Sequence, residues 1–174
     1  MSAAGRPRRT WGWHRLDDDW AARIVAAAGV RPGELVLDIG AGEGALTGPL
    51  LTAGARVIAV ELHARRAYVL RQRFPGATVI HADAAELRLP GRPFRVVANP
   101  PFSITAGLLR LLMARDSNLA AADLVLQRAV VRKYLSTGAV PRRFSAAPGL
   151  ALPRHAFQPR PRVDCAVLTI RRRR

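Results

Sequence analysis

Short apolar runs alternate with helical patterns along most of this chain of 174 residues. Four of these runs are Leu35–Ile39, Arg56–Glu61, Thr78–His81 and Phe94–Ala98, and glycine, proline or acidic residues stand at or near an end of each. Helical patterns follow these runs in turn, and strands that alternate with helices pair in parallel. The pattern therefore predicts an open α/β sheet covered by helices.

The remaining elements complete this prediction. Helices are expected over residues 20–28, 45–53, 64–73, 105–114 and 127–135, with a fifth strand over 119–126. Two final apolar segments, 150–152 and 163–170, have no helix between them, which predicts a hairpin and an antiparallel edge strand. The sequence thus predicts a Rossmann-like fold with a seven-stranded, mostly parallel sheet and an antiparallel last strand.

Composition excludes several classes of protein. The chain has 28 Lys and Arg against 12 Asp and Glu, a net charge of +16, and 49% of its residues are hydrophobic, which excludes a disordered basic protein. One cysteine excludes a disulfide framework or a zinc–cysteine cluster, and the four histidines lack metal-ligand spacing, so we expect no metal. No apolar run reaches 18 residues and no signal peptide is recognisable, so we expect a cytoplasmic protein that binds a polyanion.

Acidic residues are scarce in this basic chain, yet four of the twelve stand at predicted strand ends. Those four are Asp38, Glu43, Glu61 and Asp83. In open α/β sheets the ligand binds beyond the carboxyl ends of the strands. We therefore expect the binding site at that edge.

The first strand runs into a glycine-rich loop over residues 40–44. Glycines let the backbone approach an adenosine closely, and Glu61 stands where an acid that accepts the two ribose hydroxyl groups is expected. This fingerprint fits a nicotinamide dinucleotide as well as S-adenosylmethionine. Asp83 is a candidate acceptor for a hydrogen bond from the amino group of the cofactor's adenine. It is also a candidate N-cap for the segment after it, and it can serve both roles. Asp38 is expected to orient the loop.

The fourth strand ends in Asn99-Pro100-Pro101-Phe102, which decides between the two cofactors. The exocyclic amine of adenine is a poor nucleophile because its lone pair is delocalised into the ring. The Asn99 side-chain oxygen and the Pro100 carbonyl can accept its two hydrogens, in a turn that two prolines stiffen. Phe102 offers a face on which a flipped-out base can stack. The motif favours methyl transfer to adenine.

These motifs resemble the S-adenosylmethionine-dependent ribosomal RNA adenine N6-methyltransferases. The resemblance also includes Gln127-Arg128 and a closing Pro-x-Val-Asp-Cys-Ala-Val segment at 161–167. The opening Trp11-Gly12-Trp13-His14-Arg15-Leu16 is most similar to the Erm-type 23S rRNA enzymes of macrolide resistance. The resemblance implies an enzyme with Asn99, Pro100 and Phe102 as catalytic residues. It implies that S-adenosylmethionine is bound by His14, Leu16, Gly40, Gly42, Glu61, Asp83 and Asn99.

Two departures from the family pattern affect the domain prediction. Trp13-His14-Arg15-Leu16 replaces the usual Gln-Asn-Phe-Leu, which in the family closes as a lid over the methionine end of the cofactor. This departure affects the lid and the number of methyl groups added. The chain stops after the last predicted strand, without the family's helical C-terminal domain. We expect a basic tail and lid over 1–16, the catalytic domain over 17–170, and an arginine tail over 171–174 that partly replaces that domain.

The net charge exceeds what solubility needs, which favours RNA as the polyanion. Trp11 and Trp13 are candidates for stacking on unpaired bases.

The leading hypothesis is methylation of an unpaired adenine in 23S rRNA, which would confer macrolide-type resistance. The substrate is expected to be protein-free RNA or an early assembly intermediate, and no obligatory protein partner is expected. The alternatives are a small-subunit rRNA dimethyladenosine transferase, a DNA adenine methyltransferase, and a catalytically silent rRNA-binding or ribosome-assembly protein. The predicted RNA-binding residues are Arg6, Arg8, Arg9, Arg142, Arg143, Arg171 and Arg172.

Overall fold

The strands and helices alternate as predicted in the computed structural model, which describes residues 13–174. The strands are β1 (Arg15–Leu16), β2 (Leu35–Ile39), β3 (Arg56–Glu61), β4 (Thr78–His81), β5 (Phe94–Ala98), β6 (Leu119–Gln127), β7 (Phe144–Leu152), β8 (Phe157–Gln158) and β9 (Cys165–Arg172). The helices are α1 (Asp18–Ala28), α2 (Thr47–Thr52), α3 (Ala64–Arg73), α4 (Thr105–Leu112) and α5 (Arg128–Ser136). Among these described residues, none of the helices has the length and apolarity needed to cross a membrane.

Seven strands form one sheet in the order β4-β3-β2-β5-β6-β9-β7, which confirms the predicted Rossmann-like fold. The strands from β4 to β6 pair in parallel, and β9 is antiparallel to both of its neighbours. The predicted antiparallel last strand and its hairpin with β7 are confirmed, but β9 lies inside the sheet and β7 forms the edge. The hairpin prediction assumes that consecutive strands meet at an edge, and here the later strand inserts between two earlier ones.

The sheet is covered on both faces. All five residues of β2 are buried, and alternate side chains of a strand point to opposite faces. Val36 packs in one cluster with residues of α1 and α2, and Leu37 packs in another with residues of α4. The ends of α1 follow the sequence closely: the Asp17 carboxylate caps the amide of Asp19 at 3.0 Å, and Gly29 ends the helix with a φ of 62°.

Two regions differ from the sequence prediction. Strand β7 begins at Phe144, six residues before the predicted segment, and carries Pro148 at a register irregularity. Strand β9 continues to Arg172, so the predicted tail over 171–174 is half strand. A two-stranded ribbon, β1 with β8, was not predicted.

Candidate cofactor and adenine site

The glycine-rich loop after β2 packs directly against the Asn-Pro-Pro turn after β5. The amides of Gly40 and Ala41 donate to the carbonyl oxygen of Val60 at 2.8 and 3.0 Å, which holds the loop beside the end of β3. Gly40 has a φ of +75°, and a Cβ atom there would lie 2.9 Å from Cδ of Pro101. Only glycine adopts this φ without strain and leaves room for Pro101. The glycine-rich loop and the Asn-Pro-Pro turn therefore lie in direct contact.

Glu61 holds the loop in place from the end of β3. Its carboxylate is almost fully buried and accepts hydrogen bonds from the amide of Gly42 at 2.8 Å and from the amide of His63 at 2.9 Å. An ionised carboxylate has about four acceptor positions, so Glu61 can also accept from a ligand hydroxyl group. The Arg66 guanidinium lies 4.0 Å from Oε1 of Glu61.

Asp38 lies below the same loop. The Thr47 hydroxyl group, at the start of α2, donates to its carboxylate at 2.7 Å. Burial raises the pKa of Asp38 to about 7, and the charge of Glu61 acts in the same direction. Asp38 therefore joins the end of β2 to the start of α2, as the expected orienting role requires.

An open cleft of about 530 Å³ lies beyond the ends of β2, β3 and β4. Asp83 caps the short turn over Ala84–Glu86, because its carboxylate accepts from the amide of Ala85 at 2.9 Å, and it also faces the cleft. The cleft brings the predicted acids together with apolar and aromatic side chains, and its lining includes Trp13, Gly40, Glu61, Leu62, Arg66, Asp83, Pro101 and Ile104. Two acids above a glycine loop fit the ribose and adenine of an adenosyl cofactor.

The segment over residues 13–16, which we call the strap, contacts the Asn-Pro-Pro turn. The side-chain amide of Asn99 donates to the main-chain carbonyl of His14 at 2.9 Å. The His14 ring lies 5.5 Å from the ring of Phe102, and its Nδ1 is 2.7 Å from the carbonyl oxygen of Pro159. These groups surround a small hollow lined by Trp13, His14, Asn99, Pro100, Pro101 and Phe102.

The strap is also anchored at its other end. Leu16 is buried in β1, which pairs with β8. Arg15 reaches Asp18 at 3.0 Å and Glu43, in the glycine loop, at 3.7 Å. The two strap residues predicted to bind cofactor lie in different hollows. Leu16 borders a hollow with Asp38 and Asn99, whereas His14 borders the hollow with Phe102.

Trp13 and Arg66 belong to the site, and sequence reasoning did not place either of them there. The Arg66 guanidinium lies 3.9 Å from the centroid of the Trp13 ring. On the loop side, a Cβ atom at Gly42 would lie 2.7 Å from Nε1 of Trp13. Trp13, predicted to stack on RNA bases, instead covers the glycine loop. The replacement of the family's Gln by Trp was a signal for it, whereas nothing in the sequence singles out Arg66.

The structure places the described arginines of the predicted RNA set away from this site. Strand β9 is antiparallel, so its end returns to the opposite edge of the sheet from Asn99. There Arg171 donates to Asp123 at 2.8 Å, Arg172 donates to the carbonyl of Leu119 at 2.7 Å, and Arg143 donates to the carbonyl of Met113.

Those three side chains donate hydrogen bonds within the protein itself. The fourth described arginine of the set, Arg142, is exposed. Arg6, Arg8, Arg9 and Trp11 lie outside the described residues. Arg171 and Arg172 therefore lie at the edge of the sheet opposite Asn99, and their contact with RNA stays a prediction.

Comparison with known proteins agrees with this site. Residues 8–174 match the family model described as ribosomal RNA adenine dimethylase. The chain is 37% identical to the ribosomal RNA small subunit methyltransferase A of Thermosynechococcus vestitus, over 95% of this chain and 70% of that protein. It is 33% identical to the rRNA adenine N-6-methyltransferase of Corynebacterium diphtheriae, over 99% of this chain and 71% of that protein.

A solved structure shows the same fold. The 23S rRNA methyltransferase ErmE superposes with a TM-score of 0.81 at 30% identity, over 92% of this chain and 70% of ErmE. The family model spans nearly the whole chain, and the cleft holds the acids and glycines that an adenosyl cofactor needs. The chain therefore belongs to the ribosomal RNA adenine dimethylase family of S-adenosylmethionine-dependent methyltransferases.

Proposed function

We propose that this chain methylates the N6 amine of an unpaired adenine in the RNA of the small ribosomal subunit. The observation that carries the chemistry is the setting of Asn99, which borders both the hollow beside Asp38 and the hollow beside Phe102. One side chain thus stands between a cofactor position and a base position. The subunit follows from the relatives, most of which bear the name small subunit methyltransferase A.

Each site residue has a role in this proposal. Glu61 accepts from the ribose hydroxyl groups, Asp83 accepts from the adenine amino group of the cofactor, and Gly40 and Gly42 allow close approach. Leu16 forms an apolar wall of the same site. When bound, S-adenosylmethionine supplies a methyl group on a positively charged sulfur.

The target amine is oriented by the turn after β5. Oδ1 of Asn99 and the carbonyl oxygen of Pro100 accept its two hydrogens, which directs the nitrogen lone pair toward the methyl group. Phe102 offers the face on which the flipped-out base stacks, and the His14 ring, 5.5 Å from the Phe102 ring, borders the same hollow. A stacked base inside a helix is out of reach, so the target is unpaired.

RNA phosphates need cations at the edge of the sheet that carries the site. A surface hollow there is lined by Arg128 and Arg132 of α5 and by Arg154, which is paired with Asp164 at 3.0 Å. We propose the exposed Arg128 and Arg132 as the RNA contacts nearest to the target base. We propose residues 17–172 as the catalytic domain, because β9 continues to Arg172. We propose a cytoplasmic location, since that is where a ribosomal RNA substrate would be met.

A second candidate is 23S rRNA, with macrolide-type resistance as its consequence. The likeness to the 23S rRNA methyltransferase ErmE, at a TM-score of 0.81, favours it. The opening Trp11-Gly12-Trp13-His14-Arg15-Leu16 resembles that branch as well. Both candidates use the same chemistry and differ in the RNA they recognise.

Transfer of labelled methyl groups to protein-free 16S rRNA, 23S rRNA and duplex DNA, with the modified base mapped by primer extension, tests the proposal. Label on an adenine of 16S rRNA is the expected result, and label on 23S rRNA supports the second candidate instead. Label on DNA alone, or on none of the three when the cofactor binds, contradicts both. The matched pair Asn99→Ala and Asn118→Ala separates loss of the site from a general effect, since Asn118 lies at the opposite edge of the sheet.

A further inference from the structure

Trp13 lies where three adjoining hollows of the site meet. It lines the cleft with Glu61 and Asp83, the hollow with Asp38, and the hollow with Phe102. The hollows also share residues pairwise: Gly40, Asn99 and Pro101 each border two of them. No other residue borders all three among the linings described for residues 13–174.

The proposed function gives these three hollows three different occupants, and the inference rests on it. A sulfonium sulfur carries three substituents, which here are the adenosyl group, the amino-acid chain and the methyl group. The adenosyl group belongs with Glu61 and Asp83, the amino-acid chain with the hollow beside Asp38, and the methyl group points to the base hollow beside Phe102. The charged sulfur then belongs where the three meet, beside Trp13.

The Trp13 indole already holds a cation. The Arg66 guanidinium carbon is 3.9 Å from the ring centroid, within the range of a cation–π contact. The Arg66 side chain is 27% exposed and lies 4.0 Å from Glu61, so it can leave the indole and remain paired with that carboxylate. An indole face with a displaceable cation is suited to accept a sulfonium in its place.

We propose that Trp13 distinguishes S-adenosylmethionine from S-adenosylhomocysteine by its contact with the charged sulfur. In the reaction the bond from N6 to the methyl carbon forms while the bond from sulfur to that carbon breaks. Its electron pair stays on the sulfur, which becomes a neutral thioether, and a proton leaves N6 to water. The cation–π attraction ends at that moment, Arg66 returns to the indole, and the product is held less tightly than the substrate.

Isothermal titration of the protein with each of the two ligands measures this preference without turnover. We expect Trp13→Leu to weaken S-adenosylmethionine binding by about tenfold and S-adenosylhomocysteine binding by less than about threefold, since a desolvated cation–π contact is of that size. Trp13→Phe retains a weaker aromatic face and is expected to fall between. Arg66→Gln removes the competing cation and is expected to raise the ratio of the two affinities.

Trp20→Leu is the matched control. Trp20 also has an arginine, Arg23, 3.9 Å from its ring centroid, but it lies on α1 outside the site. This variant is expected to leave both affinities unchanged. Thermal unfolding of each variant verifies that it is folded before titration.

Equal weakening of both ligands by Trp13→Leu would overturn the proposal and leave Trp13 as an apolar cover. Unchanged affinities for both would overturn it too. If the unaltered protein binds neither ligand, the cofactor role of the whole site fails together with the proposal. The two failures are therefore distinguishable in one series of titrations.

Discussion

The side-chain amide of Asn99 donates a hydrogen bond to the main-chain carbonyl oxygen of His14 at 2.9 Å, across 85 positions of sequence. A carbonyl oxygen only accepts, so the amide nitrogen of Asn99 faces the strap and Oδ1 faces the other way. The strap thus fixes the orientation of the asparagine through a main-chain atom. Replacement of the family's Asn by His14 leaves this contact available, because no side chain of the strap is needed for it.

Asn99→Ala is expected to lower methyl transfer by at least about 100-fold, as loss of a group aimed at developing charge does in other enzymes. The acceptor for the target amine is removed, whereas Glu61 and Asp83 remain. Single-turnover transfer from S-adenosylmethionine measures the loss. Cofactor affinity, determined by titration, is expected to change by much less, and a parallel collapse of both would indicate that Asn99 acts mainly by holding the strap.

Gly42→Ala is expected to impair cofactor binding. Gly42 has a φ of +59°, and the added Cβ atom would lie 2.7 Å from Nε1 of Trp13, so the strap must move. Gly29→Ala is the control, because Gly29 has a φ of +62° with nothing within 4 Å of its Cβ position. Both variants lose about 1–2 kcal/mol in urea unfolding from the left-handed backbone, and only Gly42→Ala weakens S-adenosylmethionine binding. Equal cofactor affinities of the two variants would show that Trp13 does not border the ligand.

Asp38→Asn is expected to stabilise the protein above neutral pH. The folded chain holds the proton of Asp38 up to a pKa of about 7, because burial disfavours the charged form, whereas the unfolded chain releases it near 3.8. The stability that protonation contributes is complete below 3.8 and is lost as the pH rises through 7.

The amide of asparagine carries no charge at any of these pH values. Urea unfolding without cofactor should therefore show an advantage of Asp38→Asn that is larger at pH 8 than at pH 5. Asp116→Asn, at an exposed position, is the control and should show no such trend. An advantage of Asp38→Asn that is constant with pH would contradict the assigned burial effect.

Arg171→Met is expected to lower stability rather than RNA affinity. Asp123 is buried, with Arg171 at 2.8 Å and Arg95 at 3.7 Å, and burial raises the pKa of its carboxyl group. Loss of Arg171, which is partly exposed, removes one of the two cations and costs about 1–3 kcal/mol of the free energy of unfolding. In urea unfolding, Asp123→Asn in the same chain should recover part of the loss. If Arg171→Met weakens RNA binding more than Arg174→Met does, Arg171 contacts RNA after all.

The sequence predicts the bounds of β2, β3, β4 and β5 to the residue. These are short apolar runs with glycine, proline or acidic residues at or near their ends, so the local pattern indicates their bounds. The acids at those ends lie in adjoining hollows, Glu61 and Asp83 in one and Asp38 and Glu43 in the next, because carboxyl ends of parallel strands share an edge. For that half of the molecule, local pattern and chain topology are sufficient.

The rest depends on contacts between distant segments. Pro148 and Gly149 are strand breakers, so the first six residues of β7 were not predicted, but an edge strand tolerates proline. The insertion of β9 between β6 and β7 follows from packing of the whole sheet. Placement of Trp13 over Gly42 depends on how the strap crosses the site, and a two-residue strand such as β1 leaves no periodicity to detect.

The position of β9 also makes two other strands depend on it for hydrogen bonds. Neighbouring strands lie about 4.8 Å apart, so β6 and β7 are two such spacings apart, with β9 between them. β7 pairs with β9 and, among the described strands, with no other, although it precedes β9 in the chain. A variant that releases β9 from the sheet would therefore leave both β6 and β7 with an unpaired edge. Both edges would lie on the half of the sheet away from the cofactor cleft, where they could pair with strands of other molecules.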